Sequence, residues 1–200
     1  MNIDYQNSRL FKTIYKTDQL KNFNLPEIVF MGRSNVGKSS LINSLLGVKL
    51  AKVSQTPGKT RSINYYVVDE KFFLVDLPGF GYASTSKIEM ERFSKLITDY
   101  LVSSSNINLV CHLIDSRIPP TRLDEIAKNY VKSFGLDYCI LLTKVDKLKQ
   151  SEKSKLINSI KYFIDTDAVS VITYSAKTHE GKKELQKLIT LKLLQKTKLN

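Results

Sequence analysis

GRSNVGKSSLINSLL, residues 32–46, is the stretch that decides the fold. Gly32, Gly37, Lys38 and Ser39 stand in the spacing G-x-x-x-x-G-K-[ST], in which glycines let the backbone curl so that its N–H groups point inward at phosphate. An apolar run precedes the stretch and SSLINSLL continues it with helical spacing, so the loop precedes a helix N-terminus. We therefore expect Lys38 on the β and γ phosphates of a nucleotide and the Ser39 hydroxyl on Mg²⁺.

Short apolar runs alternate with segments of helical period around this loop. The runs cover residues 27–31, 63–69, 71–76, 107–115, 137–143 and 168–175, and the candidate helices cover about 38–46, 87–103, 121–133, 151–164 and 180–196. Several runs lack polar alternation, as in strands buried on both faces of a parallel sheet. Only Glu70 separates the second run from the third, which predicts a tight antiparallel hairpin and makes one of the two an edge strand. We predict a three-layer α/β sandwich around a mixed, mostly parallel six-stranded sheet with one antiparallel edge strand.

The length of 200 residues fits one domain of ordinary size. We expect residues 27–200 to form it, with the polar, loosely patterned residues 1–26 as an N-terminal extension. No apolar run reaches the roughly 20 residues that span a bilayer, and the N-terminus lacks the apolar core of a secretory signal. These features predict a cytoplasmic protein without a membrane partner. We also expect a monomer. Cys111 and Cys139 lie inside apolar runs, which predicts two buried free thiols.

The chain is strongly basic, with 31 Lys and Arg against 19 Asp and Glu and a formal charge of +12. Such a charge favours contact with polyanions, of which RNA is the obvious one. A compositional bias toward lysine, asparagine and isoleucine would give the same charge without a partner. Residues 177–200 hold seven lysines and two glutamates on a predicted helix. That concentration favours RNA slightly, although a solvated helix face has the same pattern.

A second motif follows the fifth apolar run, which ends in the pattern T-K-x-D. Asp146 can accept hydrogen bonds from N1–H and the 2-amino group of guanine, whereas adenine lacks both donors, so the motif favours guanine. The stem of Lys144 can lie over the base plane. In YSAKT, after the sixth run, Ser175 can brace the loop and the Ala176 amide can meet guanine O6.

With DLPG at residues 76–79, the order of these motifs resembles the translation-factor-related class of P-loop GTPases. The strings GRSNVGKSSLIN, TPGKTRSIN, DLPGFGYA and TKVDK are similar to those of the EngB family of bacterial GTPases, from residue 27 to the end of the chain. The resemblance implies the P-loop GTPase fold, GTP and GDP as ligands, and Mg²⁺ held by Ser39, Thr60 and, through water, Asp76. The residues that it assigns to the phosphates are Gly32, Arg33, Ser34, Asn35, Val36, Gly37, Lys38, Ser39 and Ser40. Those that it assigns to the base are Thr143, Lys144, Val145, Asp146, Ser175, Ala176 and Lys177. It also implies a role in large ribosomal subunit maturation and, with it, in cell division and septation.

Two segments between the motifs are expected to respond to the γ-phosphate. In SQTPGKTRSIN, residues 54–64, Thr60 can give its hydroxyl to Mg²⁺ and its amide to the γ-phosphate, although an ordinary loop with a Pro-Gly turn has the same composition. The EngB family often has glutamine where this chain has Arg61, which leaves one polar contact open. The nucleotide-binding residues assigned to the two segments are Gly58, Lys59, Thr60, Arg61 and Ser62, and Asp76, Leu77, Pro78 and Gly79.

Phe80 follows DLPG at the position where Ras-like GTPases carry the glutamine that orients the attacking water. Because phenylalanine cannot orient water, we expect slow intrinsic hydrolysis. An asparagine at the position of Asn35 helps related GTPases bind K⁺ against the phosphates, so one hypothesis is that K⁺ supplies the missing charge here. The alternative is that Asn35 only tightens the loop, and Arg33 and Arg61 are other sources of charge. The residues assigned to catalysis are Asn35, Lys38, Thr60 and Gly79.

Two functions agree with these motifs. The first is a slow GTPase that acts as an assembly switch by docking in its GTP form on the large ribosomal subunit or ribosomal RNA. The second is a signalling or septation switch whose partner is a protein. Both use the same nucleotide site, so only the charge of +12 separates them, and it favours the first.

Overall fold

The computed structural model describes residues 1–53, 62–81, 87–164 and 168–197. Within them the strands are β1 (Ser8–Ile14), β2 (Glu27–Gly32), β3 (Ile63–Val68), β4 (Phe72–Asp76), β5 (Ile107–Asp115), β6 (Tyr138–Thr143) and β7 (Ser170–Tyr174). The helices are α1 (Lys38–Leu46), α2 (Lys87–Ser103), α3 (Arg122–Ser133), α4 (Gln150–Ser159) and α5 (Lys182–Thr197). Short 3-10 helices cover Thr17–Gln19 and Val145–Lys147. Four of these helices agree with the predicted ranges to within two residues, whereas α4 ends at Ser159, five residues before its predicted end.

The strands form one mixed sheet in the order β1-β3-β4-β2-β5-β6-β7. Strands β4, β2, β5, β6 and β7 are parallel, whereas β3 pairs in antiparallel fashion with both β4 and β1. The three-layer α/β sandwich and the mostly parallel sheet are therefore confirmed.

The predicted number of six strands was wrong, because the described part of the chain contributes seven. The added strand is β1, which lies in the segment predicted to be an extension and pairs along β3 from Ser8 opposite Val68 to Ile14 opposite Ile63. Neither strand of the predicted hairpin is therefore at the edge. Among the residues of β1 only Ile14 is fully buried, so the strand lacks the apolar run that marks the others.

The core lies on both faces of the sheet because each central strand sends alternate side chains to opposite sides. In β2, Val29 belongs to one apolar cluster and Phe30 to the other. Helices α1 and α5 cover the face of Phe30, and α2, α3 and α4 cover the face of Val29. Each fully buried Leu, Ile or Phe contributes about 1.5–3 kcal/mol relative to an exposed position. Burial on both faces explains why the runs of the central strands are continuously apolar.

The start of α3 shows how local sequence sets a helix boundary. The backbone N–H of Thr121 donates to Asp124 Oδ2 at 2.8 Å, and the Thr121 hydroxyl donates to the same oxygen at 2.7 Å. This capping interaction, with Asp124 three residues after Thr121, begins the helix at Arg122.

Two further features concern the described residues as a whole. Cys111 and Cys139 are buried free thiols on facing positions of β5 and β6, as predicted, with their sulfurs 3.6 Å apart. None of the helices in the described ranges is both long and apolar enough to cross a bilayer.

The parallel strands all end at one edge of the sheet, where ligands bind in open α/β folds. Gly32, Asp76, Asp115, Thr143 and Tyr174 are the last residues of β2, β4, β5, β6 and β7. The motifs found in the sequence follow these strand ends, so the fold gathers them at this edge.

Candidate functional site

The phosphate loop, residues 33–37, turns sharply between β2 and α1. Asn35 has φ of 62° and Gly37 has φ of 103°, a conformation that glycine adopts without strain and that other residues rarely adopt. The Thr143 hydroxyl donates to the carbonyl of Val36 at 2.7 Å, and Val36 N–H donates to the carbonyl of Arg33 at 3.2 Å. The loop therefore has the αL turns of an anion-binding nest, and it leads directly into the N-terminus of α1. Thr143, assigned to the base from the sequence, thus uses its hydroxyl to hold the phosphate loop.

Lys38 and Asp76 form a buried ion pair at the centre of this edge. Their side chains are only 7% and 2% exposed, and Lys38 Nζ donates to Asp76 Oδ1. Burial raises the pKa of the Asp76 carboxyl above its ordinary value, and the charge and hydrogen bond of Lys38 oppose that rise. A carboxylate in this position needs a cationic partner.

The side chains here fit Mg²⁺ by their chemistry. Ser39 lies in the first turn of α1 with its side chain half-buried, and Asp76 ends β4. Hydroxyl and carboxylate oxygens are the donors that Mg²⁺ prefers, and the buried Asp76 carboxylate already requires a positive charge. Thr60, the third residue assigned to the metal, lies outside the described residues.

The segment after β4 packs against the phosphate loop. Ser34 N–H donates to the carbonyl of Phe80 at 2.9 Å, and Phe80 N–H donates to the carbonyl of Gly32 at 3.3 Å. A Cβ on Gly79 would lie 3.0 Å from Ser34 Cα, so only glycine allows this close approach without displacing backbone. The ring of Phe80 lies 6.1 Å from the ring of the buried His112 and packs against the core. Phe80 thus contributes backbone contacts to the loop and an apolar ring to the core.

Ser175 fixes the carboxylate of Asp146. The Ser175 hydroxyl donates to Asp146 Oδ1 at 2.8 Å and accepts the backbone N–H groups of Lys177 and Thr178 at 3.2 and 3.1 Å. One hydroxyl therefore joins the loop after β6 to the loop after β7. The protein itself thus holds the carboxylate in one orientation, as a selective hydrogen-bonding group requires.

A cavity of about 320 Å³ connects the two motifs. Its lining includes seven of the residues assigned to the nucleotide: Gly37, Ser40, Thr143, Lys144, Asp146, Ala176 and Lys177. Its volume lies in the range of small-molecule sites. The phosphate loop thus shares one space with the base loop, residues 143–147, and with the segment after β7.

Arg33 is half-buried in the phosphate loop and Pro78 is buried after β4, and the remaining assigned residues fall into two groups. Val36, Leu77 and Val145 have buried side chains in the core, so only their backbone is available to a ligand. Ser62 is also buried, and its hydroxyl lies 3.4 Å from Asn64 Oδ1 at the start of β3. Gly58, Lys59, Thr60 and Arg61 lie outside the described residues.

One polar residue of this edge did not figure in the sequence motifs. Asp115 ends β5 beside the phosphate loop and accepts a hydrogen bond from Lys144 Nζ at 2.9 Å. Its position at the carboxyl end of a strand next to β2 was the signal that could have identified it.

Comparison with known proteins assigns the family. Residues 27–144 match the family model described as 50S ribosome-binding GTPase. The probable GTP-binding protein EngB of Petrotoga mobilis is 48% identical over 183 residues, which are 91% of this chain and 93% of that protein. The protein of the same name from Thermotoga maritima is 46% identical over 165 residues, covering 82% and 85% of the two chains.

Solved structures agree with the fold. A crystal structure of a probable GTP-binding protein EngB superposes with a TM-score of 0.67 at 25% identity, over 84% of this chain and 99% of that one. The crystal structure of Aquifex aeolicus Era bound to GDP·AlF₄⁻ has a TM-score of 0.67 at 24% identity, over 84% of this chain and 56% of that one. The sandwich is thus the P-loop GTPase fold. Because close sequence relatives extend over nine-tenths of its length, this chain belongs to the EngB family of GTP-binding proteins and is a GTPase.

Proposed function

We propose that this protein is a slow GTPase that acts in the cytoplasm as a switch in assembly of the large ribosomal subunit. It docks on ribosomal RNA or a precursor particle with GTP bound and leaves after hydrolysis. Two observations support the ribosomal part of the proposal: the description of the matched family model and the formal charge of +12. A role in division and septation would follow indirectly, because dividing cells need new ribosomes.

The shared cavity is the observation that carries the nucleotide part of the proposal. Asp146, held by Ser175, accepts the two donors of guanine, and the Ala176 amide meets guanine O6. The stem of Lys144 lies over the base, and the amides of residues 32–40 surround the phosphates. Guanine selection and phosphate binding thereby depend on one preformed space.

The proposed chemistry is in-line attack of water on the γ-phosphate. Lys38 and the backbone N–H groups of the phosphate loop stabilise the charge that develops, and the Gly79 amide senses the γ-phosphate. We assign Mg²⁺ to Ser39, to Thr60 and, through water, to Asp76. Bound there, the metal would neutralise charge on the β and γ phosphates. Phosphate would then pair with Lys38, and the metal with Asp76, in place of the direct ion pair between these two side chains.

Hydrolysis is expected to be faster in K⁺ than in Na⁺. Phe80 directs its ring to the core, and the side chain of Asn35, in an αL turn of the phosphate loop, is exposed. We propose that Asn35 binds K⁺ beside the phosphates. GTP turnover measured at equal ionic strength in the two salts should rise in K⁺, and Asn35→Ala should remove the difference. Equal rates in both salts, with and without ribosomal particles, would contradict the K⁺ assignment.

Co-sedimentation with purified ribosomal subunits tests the switch. The protein loaded with a non-hydrolysable GTP analogue should sediment with the large subunit, and the GDP-loaded protein should remain in the supernatant. Because phosphate contacts release counterions, binding should weaken by a factor of about 10³ or more between 50 and 200 mM salt if six or more phosphates are contacted. The small subunit is the control. Equal binding of the GTP-analogue and GDP forms to the large subunit, or no binding of either, would favour a switch with a protein partner.

A further inference from the structure

Asp115 forms a compact group of charges with Arg117 and with Lys144, of which Lys144 lines the nucleotide cavity. Arg117 donates to the two carboxylate oxygens of Asp115 from Nε at 2.9 Å and from Nη2 at 2.8 Å. Lys144 Nζ donates to Asp115 Oδ2 at 2.9 Å. The side chain of Asp115 is 13% exposed, whereas that of Arg117 is 49% exposed. The carboxylate is therefore an inner anchor, and Arg117 covers it on the solvent side.

Lys144 connects this anchor to the phosphate loop. Its Nζ also donates to the carbonyl of Asn35 at 2.6 Å, and a Cβ on Gly37 would lie 3.6 Å from Lys144 Cε. The lysine therefore reaches from the base loop, along the cavity that it lines, to the phosphate loop. Its backbone has φ of 62°, a conformation that an L-residue keeps only when its surroundings hold it there.

A lysine needs such an anchor to stay in one place. Its ammonium sits on four rotatable carbons and loses much rotamer freedom when it is fixed. The Asn35 carbonyl supplies one neutral acceptor for the Lys144 ammonium, and Asp115 adds a second, charged acceptor. Charge-assisted hydrogen bonds are roughly twice as strong as neutral ones.

The anchor stays charged under working conditions. Partial burial would raise the pKa of the Asp115 carboxyl, but hydrogen bonds from Arg117 and Lys144 outweigh it and lower the pKa to about 2. Asp115 is thus an anion at neutral pH.

We propose that Asp115 is a positioning residue for nucleotide binding, which acts by holding Lys144 between the base loop and the carbonyl of Asn35. The inference rests on the proposed assignment of the cavity to a guanine nucleotide. Asp146 lines the cavity whereas Asp115 does not. Asp115 therefore sets how tightly GDP and GTP are held and leaves the choice between bases to Asp146. It also takes no part in the attack of water.

The test is a mutant cycle of Asp115→Asn, Lys144→Met and the double variant. Asp115→Asn should weaken GDP and the GTP analogue by about 10- to 100-fold, the loss that follows removal of one charged hydrogen-bond partner. The rate of hydrolysis at saturating GTP should stay within about threefold of wild type, so that KM changes and kcat does not. The affinities for GTP and for inosine triphosphate, which lacks the 2-amino group, should fall by the same factor.

The cycle distinguishes positioning from a general structural effect. If Asp115 acts through Lys144, the double variant should bind no more weakly than Lys144→Met alone. Additive losses would overturn the proposal, as would an Asp115→Asn variant that binds GDP within twofold of wild type. Circular dichroism checks the fold of each variant. If Asp115→Asn does not fold, Lys144→Met must weaken GDP binding by the factor of about 10 to 100 expected for Asp115→Asn.

Asp137→Asn is the matched control. Asp137 also pairs with a lysine, accepting from Lys192 Nζ at 2.7 Å, but it precedes β6 at the end opposite to the cavity. Its variant should bind GDP as wild type does. Failure of wild-type protein to bind guanine nucleotides would overturn the assignment of the cavity itself, whereas normal wild-type binding with an unaffected Asp115→Asn would overturn only this inference.

Discussion

Asp146→Asn should exchange the preference for guanine for a preference for xanthine. We expect the affinity for GTP to fall by at least about 100-fold, because a site built to accept two donors loses one acceptor and leaves a guanine donor unpaired. Xanthosine triphosphate should then bind more tightly than GTP. The measurement is competition of both nucleotides against a fluorescent analogue for each protein.

The geometry around Asp146 makes this exchange clean. The Ser175 hydroxyl donates to Asp146 Oδ1, and an asparagine Oδ1 can still accept that bond, so the loop keeps its arrangement. The carboxamide then offers one acceptor to N1–H and one donor to the carbonyl at C2 of xanthine. Asp137→Asn, away from the cavity, should leave the nucleotide preference unchanged. An Asp146→Asn protein that still prefers GTP would show that another group reads the base.

Lys38→Met should separate the two roles of the buried ion pair. Nucleotide affinity should fall by at least about 100-fold, because a charge-assisted bond to phosphate is lost. The nucleotide-free protein should also lose stability, by up to about 3–5 kcal/mol, because the Asp76 carboxylate stays buried without its partner. Denaturant unfolding of nucleotide-free proteins measures the second effect.

The loss of stability in Lys38→Met should depend on pH. Burial raises the pKa of Asp76 in the folded chain above its ordinary value. The folded state therefore holds a proton more readily than the unfolded state, so the penalty is full above the folded pKa and shrinks as the pH falls.

Adding Asp76→Asn to Lys38→Met should restore most of the stability without restoring nucleotide binding, since no uncompensated charge remains. Lys192→Met, which breaks a more exposed pair with Asp137, should cost no more than about 1 kcal/mol. Full stability of the single Lys38→Met variant at neutral pH would contradict this account of the pair.

The sequence predicted the elements that carry dense signals. The central strands read as apolar runs because both of their faces are buried, and α3 begins where Thr121 and Asp124 can cap it. Strand β1 escaped detection because it lies at the sheet edge, where most of its side chains are exposed. Its pairing with β3 depends on a partner about 55 residues away, which local periodicity cannot reveal.

Motifs identified the loops of the candidate site but did not specify all contacts within them. Thr143 belongs to the base motif by its position, yet its hydroxyl bonds to Val36 in the phosphate loop. Asp115 lies in no motif and becomes visible only when β5 is placed beside β2. Such contacts join segments more than 20 residues apart, so they follow from the order of the strands in the sheet.

The central claim is that one preformed cavity binds guanine nucleotides and rejects adenine nucleotides. Calorimetric titration of the purified protein in Mg²⁺ tests it most directly. We predict one equivalent of GDP or of a GTP analogue bound, and binding of ADP and ATP analogues weaker by at least about 100-fold. Equal affinity for the two bases, or no uptake of guanine nucleotides, would contradict the account.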